Sequence, residues 1–249
     1  MKVSIITATF NSAKTIIDTI KSVNNQSYGD IEHIIIDGGS KDNTLELIKK
    51  IPNRVVKIVS EPDKGIYDAM NKGIALATGD IIGILNSDDF YTSSNVITDI
   101  VTTFQQGGYD GIYGDLEYVN EKDTNKVIRY WKSKTYTKDL FRKGWHPAHP
   151  TFFVKKEIYN KFGTFNLKYK IGADYEIMLR FIEKNKIKVG YIPKIFVRMR
   201  VGGASNQSLK NIIRANKECY KAWKDNNLSI SPIIFILKPL SKILQFLRK

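Results

Sequence analysis

The first 90 residues alternate short apolar runs with segments of helical spacing, and this alternation constrains the fold more than any other feature. The apolar runs cover residues 3–7, 31–36, 55–59 and 81–85. The helical segments cover residues 13–23, 44–50 and 66–77. Consecutive parallel strands need a crossover connection, which is usually a helix. The order β-α-β-α-β-α-β therefore predicts an α/β fold with a doubly wound, mostly parallel sheet.

The pattern changes after residue 90, where helices and strands no longer alternate regularly. Residues 111–119 and 127–131 are typical of two strands of a hairpin-like insertion. Late strands are expected over residues 189–192 and 195–198. Further helices are expected over residues 95–104, 174–183 and 209–223.

Composition narrows the class of protein. The chain has 249 residues, of which 42% are hydrophobic and 26% charged, an ordinary globular balance. Its one cysteine, Cys219, excludes an intrachain disulfide and favours a reducing compartment. The apolar run at the N-terminus is too short for a signal peptide, and no stretch reaches the ~20 apolar residues of a membrane span.

The net charge of +14 is divided unevenly along the chain. Residues 1–120 carry a net charge of −6, and residues 121–249 carry +20. An acidic half suits a metal site, and a basic half suits an anionic partner such as a membrane surface, a lipid-linked phosphate or nucleic acid. An ordinary solvated basic surface is the alternative.

The apolar run 81–85 ends abruptly in Asn86-Ser87-Asp88-Asp89. Open α/β sheets bind ligands in the crevice at the carboxyl ends of their strands. Two adjacent carboxylates repel each other, and a divalent cation that bridges to phosphate oxygens relieves that repulsion. The alternative is a simple strand-to-turn junction, since all of these residue types form turns.

Five motifs occur in order along the chain. They are residues 3–11, Asp37 to Thr44, Asp63-Lys64-Gly65 with Asn71-Lys72-Gly73, residues 86–89, and Ala173-Asp174-Tyr175-Glu176. Together they resemble family 2 glycosyltransferases of the GT-A fold, over roughly residues 1–205. The resemblance implies inverting transfer of a sugar from a nucleotide diphosphate sugar with a divalent metal, Mg²⁺ or Mn²⁺. It divides the chain into a nucleotide-sugar-binding half (1–90), an acceptor-side half (91–205) and a helical extension (206–249).

The resemblance places the base of the donor at the ends of the first two strands. Ala8 and Phe10 follow the first strand, where the Phe10 ring is expected to stack on a flat base. Asp37 matches the family's base contact, and its carboxylate can accept a ring N–H of uracil or thymine. Core packing of Phe10 and a turn-forming role for Asp37 are the alternatives. Asp42 is expected to cap the following helix.

The same resemblance assigns the diphosphate and metal contacts. Asp88 matches the last position of the family's Asp-x-Asp pattern and is the expected metal ligand. Asn86 departs from that pattern; it can bind ribose or a metal-bound water but removes one charge, and Ser87 beside it is a further expected donor contact. Lys64 is expected to reach the diphosphate, with a solvated loop position as the alternative. Asp89 either caps the next turn or supports Asp88.

Asp174 matches the family's catalytic base, which takes the proton of the acceptor hydroxyl. A helix-cap role is its alternative and is compatible with catalysis, since a cap position fixes the direction of the carboxylate. Glu176 is the second candidate for the base. His146 and His149, in an aromatic loop, are expected at the acceptor; two histidines without cysteines do not predict a zinc site. His33 is expected to be structural.

Three other classes compete with this interpretation. A nucleotidyltransferase would need a glycine-rich phosphate loop after the first strand, and residues 7–12 contain no glycine. A non-catalytic sugar-nucleotide-binding protein with the same fold is the closest alternative, because of Asn86. Nucleic-acid binding is not expected, since no recognised motif is visible. A saccharide or lipid-linked acceptor is expected, and a homo-oligomer is possible.

The C-terminal tail has one apolar helical face flanked by lysines. Pro232, Pro239 and the lysines exclude a membrane span, so an interfacial helix on an anionic membrane surface is expected. The protein would then be cytoplasmic and peripheral on the inner face of the cell membrane. Packing of this face on the protein itself or on a partner subunit is the alternative. The apolar residues are Ile233, Ile236, Leu237, Leu240, Ile243, Leu244 and Leu247.

Overall fold

The computed structural model describes residues 1–202 and 209–230. Their strands form a single sheet in the order β3-β2-β1-β4-β8-β6-β9-β5, with β7 paired to β6. The strands are β1 (Val3–Thr9), β2 (Ile31–Asp37), β3 (Val55–Ser60), β4 (Ile81–Ile84), β5 (Phe90–Tyr91), β6 (Gly111–Val119), β7 (Val127–Trp131), β8 (Phe153–Lys155) and β9 (Val189–Arg200). The helices are α1 (Ile16–Asn24), α2 (Thr44–Lys50), α3 (Ile66–Leu76), α4 (Val96–Gly107), α5 (Lys156–Phe162), α6 (Ala173–Met178) and α7 (Leu209–Asp225).

The N-terminal half is the predicted doubly wound arrangement. Strands β3, β2, β1 and β4 are parallel neighbours, and the helices α1, α2 and α3 connect them. Strand β1 is two residues longer than its apolar run predicts, because Ala8 and Thr9 continue the ladder opposite Ile36 and Asp37. The carboxyl ends of these strands therefore meet at one edge of the sheet.

The second half mixes strand directions. Strand β8 is antiparallel to both β4 and β6, while β6 and β9 run parallel. The predicted hairpin of β6 and β7 is confirmed. The sequence pattern did not identify β5, β8 or α5.

The prediction of two separate late strands is wrong, because β9 is continuous from Val189 to Arg200. Its pairing with β6 shifts between Tyr191 and Ile195, so residues 192–194 form an irregularity. Pro193 lies there and has no N–H for the ladder, and proline within sheets is confined to such bulges and to edges. Pro193 therefore divides the sequence pattern without ending the strand.

The core lies on both faces of the sheet. One cluster joins Ile6 and Ile34 to α3, α6 and α7, and another joins Val3 and Ile5 to α4. Trp223 of α7 is fully buried in the first cluster, so this helix packs on the same core as the sheet. Within the described ranges, no helix is both long and apolar enough to cross a membrane. The predicted tail helix lies outside the described residues.

Candidate active site

Phe10 lies at the edge of the sheet, where hydrogen bonds link the loop after β1 to the loop after β2. The Asn11 backbone N–H donates to Ser40 Oγ over 2.7 Å, and the Lys41 N–H returns to Asn11 Oδ1 over 2.9 Å. The Phe10 ring is 60% exposed beside this junction, so it does not pack in the core. Ala8, by contrast, lies inside β1 with its side chain buried in the core.

Asp37 lies at the end of β2, as expected, but its carboxylate is engaged by its own loop. It accepts the N–H groups of Gly39 and Ser40 and the hydroxyls of Ser40 and Ser60. Its side chain is fully buried. The turn-forming role that the sequence left open is therefore present, and the base contact of Asp37 stays a prediction.

Asp63 belongs to one of the matching motifs, but the sequence interpretation assigned it no contact to the donor. A Cβ atom at Gly38 would lie 2.6 Å from Asp63 Oδ2 and 3.4 Å from Phe10 Cδ2. Glycine at position 38 thus lets the Asp63 carboxylate and the Phe10 ring both approach the backbone there; we call Phe10, Gly38 and Asp63 the base cleft. Lys64 beside it is exposed, and its backbone N–H donates to Asp68 Oδ2 over 3.1 Å.

The loop after β4 is tied to the start of α1. Ser87 Oγ lies 2.8 Å from Ser12 Oγ, and Thr15 Oγ1 donates to the Ser87 carbonyl over 2.9 Å. The Asn86 amide donates to Asp89 Oδ2 over 3.0 Å. Residues 86–89 therefore form one acidic loop at the strand end. Asp42 does not cap α2 as expected: Asn43 occupies the N-cap position, and Asp42 Oδ1 accepts the Thr44 N–H over 3.1 Å from one residue earlier.

Both carboxyls of the acidic loop are held in an environment that disfavours their charge. Burial raises the pKa of Asp88, which the guanidinium of Arg200 partly opposes. Burial, and then the charge of Asp88, raises the pKa of Asp89 well above its usual range. Asn86 Oδ1 and Asp89 Oδ1 are buried without a hydrogen-bond partner. Oxygen atoms that lack donors and carboxylates that repel each other are a donor set suited to a hard divalent cation.

Arg200, at the end of β9, is a second residue that the sequence interpretation missed. Its guanidinium donates to the Asp88 carbonyl over 2.6 Å, pairs with Asp18 of α1 and lies over the Phe90 ring. Only 5% of the residue is exposed. Arg200 therefore holds the acidic loop from the end of β9. In the sequence, only its position next to Gly202-Gly203 could have indicated a role for it.

Asp174 lies in the first turn of α6, half-buried. Its Oδ1 accepts the Tyr175 N–H over 2.8 Å and lies 3.3 Å from the hydroxyl of Tyr67, which also donates to the Ile171 carbonyl. Burial, and then the charge of Asp174, raises the pKa of Tyr67 well above its usual range, so the phenol stays a donor. The helix-start position and a directed carboxylate are thus both present.

Glu176, the second candidate for the base, is a structural residue. It is buried, forms two hydrogen bonds with the Arg180 guanidinium at 3.0 Å, and accepts the Asn226 amide at 3.0 Å. Its oxygens are occupied on the core side of α6. His33 is also structural, buried with its Nε2 2.9 Å from Thr7 Oγ1.

The aromatic loop reaches the surroundings of Asp174. His149 is buried edge-on against Phe165; burial lowers the pKa of His149, and the charge of Asp174 opposes this shift. The His146 ring lies 5.3 Å from the Tyr175 ring. No group of three or more His, Cys, Asp or Glu side chains that could hold a metal is present in the described part of the chain.

Contacts through β6 and β7 join the acidic loop to the start of α6. Arg200, which donates to the Asp88 carbonyl, lies opposite Val119 in the ladder of β6 and β9. Beside it, the rings of Tyr118 and Trp131 stack with their centres 6.5 Å apart, and Trp131 contacts His146, which contacts Tyr175 of α6. Burial is the main cause that raises the pKa of Tyr118 to about 12; Arg129 opposes the shift, and the charges of Asp89 and Asp174 add to it.

This fold is that of the GT-A glycosyltransferases. The chain matches TarS residues 1–349 of S. aureus in complex with UDP-GlcNAc with a TM-score of 0.71, at 17% identity over 91% of this chain and 65% of that one. It covers 43% of a longer TarS chain. It also matches the mannosyltransferase PcManGT of Pyrobaculum calidifontis, in complex with GDP-Man and Mn²⁺, with a TM-score of 0.67, at 19% identity over 96% of this chain and 67% of that one.

The family is shown by sequence. The model of glycosyl transferase family 2 matches residues 4–163, so the chain belongs to this family and is a glycosyltransferase. An uncharacterized glycosyltransferase of Mycobacterium tuberculosis is 35% identical over 72% of this chain and 68% of its own length. A PGL/p-HBAD biosynthesis glycosyltransferase of the same species is 28% identical over 82% of this chain and 78% of its own length.

Proposed function

We propose that the protein is an inverting glycosyltransferase that moves a sugar from a nucleoside diphosphate sugar to a hydroxyl of a saccharide or lipid-linked acceptor. The observation that carries the proposal is a continuous path of contacts from the acidic loop to the start of α6, through Arg200 and then the rings of β6, β7 and the aromatic loop. The proposed metal loop and the proposed base are then connected parts of one region, as transfer between two substrates requires.

The donor proposed is a UDP-sugar. The Phe10 ring offers an exposed face for the flat base, and the Asp63 carboxylate beside it offers an acceptor for a ring N–H of uracil. Two neighbours of the same fold carry UDP or UDP-GlcNAc, and a third carries GDP-Man. Lys64, exposed next to this cleft, is proposed to contact the diphosphate.

We further propose that Asp88 binds Mg²⁺ or Mn²⁺, with Asn86 and Ser87 as neighbouring contacts to the donor. The orphaned oxygens of Asn86 and Asp89 and the raised pKa values of both aspartates support such a site. A cation bound there would neutralise the charge of the leaving diphosphate. Arg200 holds the loop from its other side through the Asp88 carbonyl.

In the proposed transfer step, one residue accepts the proton of the acceptor hydroxyl. The acceptor oxygen forms a bond to the anomeric carbon while the bond from that carbon to the diphosphate breaks, and the diphosphate leaves with the electron pair. The hydroxyl proton goes to Asp174, whose direction is set by the Tyr175 N–H and the Tyr67 hydroxyl. Attack from the face opposite the leaving group inverts the anomeric centre.

The experiment is a calorimetric titration of UDP with and without Mn²⁺, together with hydrolysis of UDP-sugars. The wild-type protein should bind UDP more tightly with Mn²⁺, and Asp88→Ala should remove that dependence and slow donor turnover. Asp110→Ala serves as the control, because it removes a carboxylate just before β6, away from the acidic loop. Equal affinity for UDP in Asp88→Ala and the wild type would show that Asp88 is only a turn residue.

The tail is proposed to hold the enzyme on an anionic membrane surface on the cytoplasmic side. The described chain reaches Ile230, where Leu228 and Ile230 still pack on the core, so a chain ending at Ile230 removes only the tail. The full chain should co-sediment with anionic liposomes at low salt and the shortened chain should not. Sedimentation of neither chain would favour packing of the tail on protein, including a homo-oligomer.

A further inference from the structure

The segment Asn71-Lys72-Gly73 of α3 is a matching motif that the proposed function leaves without a role. Gly73 fixes the helix against the sheet: a Cβ atom there would lie 2.3 Å from Ile6 Cγ2 of β1, so no larger residue fits without a shift. Asn71 and Lys72 point to different sides of the helix, because successive helical residues are separated by about 100°. The motif can therefore contact two parts of the protein at once.

One side of the motif holds the loop of the base cleft. Lys72 Nζ lies 2.7 Å from Glu61 Oε1 and donates to the Pro62 carbonyl over 3.3 Å. It also lies 3.6 Å from Asp68 Oδ2, an atom that accepts a backbone N–H from the same loop. Lys72 thus joins the residues on both sides of Asp63 to α3.

The other side of the motif holds the segment that leads to the proposed base. Asn71 Nδ2 donates to the Phe165 carbonyl over 2.9 Å, and the Phe165 N–H donates to Asn71 Oδ1 over 2.8 Å. The Phe165 ring stacks on the ring of Tyr67 with their centres 5.5 Å apart. Tyr67 lies one turn before Asn71, and its hydroxyl contacts Ile171 and Asp174. The same face of α3 therefore contacts this segment near both of its ends.

The Asn71 side chain is chemically suited to this place. A primary amide both donates and accepts, so it pairs with the N–H and the C=O of one residue, as a neighbouring strand would. Neither a carboxylate nor an apolar side chain can form both bonds. Because the bonds join positions 94 residues apart, they place the segment rather than stabilise α3 locally.

We propose that Asn71 and Lys72 are positioning residues with separate effects on the reaction. Lys72 sets the loop that carries Asp63 and so acts on the affinity for the donor. Asn71 sets the segment before Asp174 and so acts on the rate of proton transfer. The inference rests on the proposed function, because it takes Asp63 as a donor contact and Asp174 as the base. Adjacent residues of one helix then have different kinetic signatures.

The test uses the full chain with Mn²⁺, and the substrates are UDP-glucose, UDP-galactose and UDP-GlcNAc. Asn71→Ala should lower kcat of hydrolysis about 10-fold, because a misplaced base is less effective, and leave the affinity for UDP in calorimetry unchanged. Lys72→Met should weaken UDP binding about 3-fold, as expected for loss of a partly exposed ion pair, and leave kcat at saturating donor unchanged. The matched controls are Asn160→Ala, at an exposed position of α5, and Lys50→Met, which breaks an exposed ion pair of α2.

Two further measurements separate positioning from other effects. Glu61→Gln removes a negative charge beside Asp63, so attraction of the diphosphate by charge alone predicts tighter UDP binding. The proposal predicts weaker binding, because Lys72 loses its partner. Asn71→Ala introduced into Asp174→Asn should lower the rate no further, since Asn71 acts through Asp174, whereas a general structural defect would slow the double variant again.

Several results would overturn the proposal. They are an unchanged kcat in Asn71→Ala, equal changes of kcat and UDP affinity in that variant, UDP binding by Glu61→Gln that equals or exceeds that of the wild type, or an additive loss in the double variant. Failure of the proposed function would look different, since the wild type would bind no UDP and hydrolyse none of the three UDP-sugars. The inference would fail with it in that case, whereas a wild type that binds and hydrolyses confines the failure to Asn71 and Lys72.

Discussion

At the scale of single residues, the carboxylates of the candidate site differ in how many hydrogen bonds they already accept from the protein. Asp37 and Glu176 each accept hydrogen bonds on both carboxylate oxygens, whereas the hydrogen bonds that Asp63 and Asp174 accept from described residues all go to Oδ1. A carboxylate whose oxygens are already hydrogen-bonded is poorly placed to bind a ligand or take a proton. This distinction assigns base recognition and catalysis to different residues, and each assignment predicts a separate mutational effect.

The first prediction concerns Asp174. Asp174→Asn should lower the rate of transfer by ~10²-fold or more, because the amide cannot take the hydroxyl proton. Affinity for UDP should stay unchanged, since the donor contacts lie elsewhere. Steady-state kinetics and calorimetry measure the two quantities, with Asp99→Asn, a surface partner of Lys194, as control. Turnover within a few-fold of the wild type would refute the role of Asp174.

The second prediction compares Asp63 and Asp37. Asp63→Asn should weaken UDP binding by about 10-fold, because a charged hydrogen-bond acceptor at the base is lost. Asp37→Asn should instead lower the melting temperature, because an amide oxygen is a weaker acceptor than a carboxylate for the N–H groups of Gly39 and Ser40, and the amide NH₂ cannot accept the Ser40 hydroxyl. Calorimetry with UDP and thermal unfolding of both variants distinguish the roles. Unchanged UDP affinity in Asp63→Asn would return base recognition to Asp37.

At the scale of elements, α7 fixes the segment that carries the proposed base. Glu218 accepts the backbone N–H groups of Lys170, Ile171 and Gly172, at 3.0, 2.9 and 2.9 Å. Farther along the helix, the Trp223 indole donates to the Tyr175 hydroxyl over 2.8 Å. The start of α6 is therefore held by a helix that follows it by more than thirty residues in the chain, so the direction of Asp174 depends on the docking of α7.

The third prediction tests this dependence. Glu218→Ala should lower kcat by about 10-fold while the KM for the donor stays constant, because it loosens the segment before Asp174 without touching the base cleft. Glu218→Gln should recover much of the rate, since its amide oxygen still accepts the N–H groups. Arg214→Ala, which removes only the ion pair with Glu218, is the matched control. An equal change in kcat and KM would indicate general destabilisation instead.

At the scale of the whole molecule, one buried carboxylate links three parts of the sheet. Glu32 of β2 accepts the hydroxyl of Ser4 in β1 and both the N–H and the hydroxyl of Thr78 before β4, and it pairs with Lys2. Burial alone would raise its pKa, but the hydrogen bonds from Lys2, Ser4 and Thr78 lower the pKa to about 2. Glu32 thus stabilises the folded chain only in its ionised form.

The fourth prediction follows from the sign of this shift. A folded pKa below the unfolded value near 4.5 contributes stability at neutral pH that is lost as the pH falls from 4.5 toward 2. Glu32→Gln should reduce the free energy of unfolding by about 2–3 kcal/mol at pH 7, and the difference should shrink below pH 4.5. Urea unfolding at pH 7, 4 and 3 measures it, with Glu46→Gln on the exposed face of α2 as control. A difference independent of pH would contradict the linkage.

The sequence by itself determined the N-terminal architecture. Apolar periodicity and the positions of turn residues are local signals, and they predicted the order of strands and helices up to β4 and the polar loops at the strand ends. The motif at residues 86–89 and the position of Asp174 at a helix start were predicted for the same reason. Pro193 shows the limit of local signals, because a bulge in the ladder with β6 keeps a single strand across it.

Only the tertiary structure decided which of the polar residues have their oxygens occupied by the protein itself. The sequence places both Asp37 and Asp63 near the carboxyl ends of strands, yet donors from the β2 and β3 strand ends surround Asp37 while Asp63 lies against Gly38. Arg200 and Glu218 act across the fold, on a backbone carbonyl and on backbone N–H groups that carry no side-chain signature. Contacts of this kind depend on the relative placement of distant elements, which packing of the core sets and local pattern does not encode.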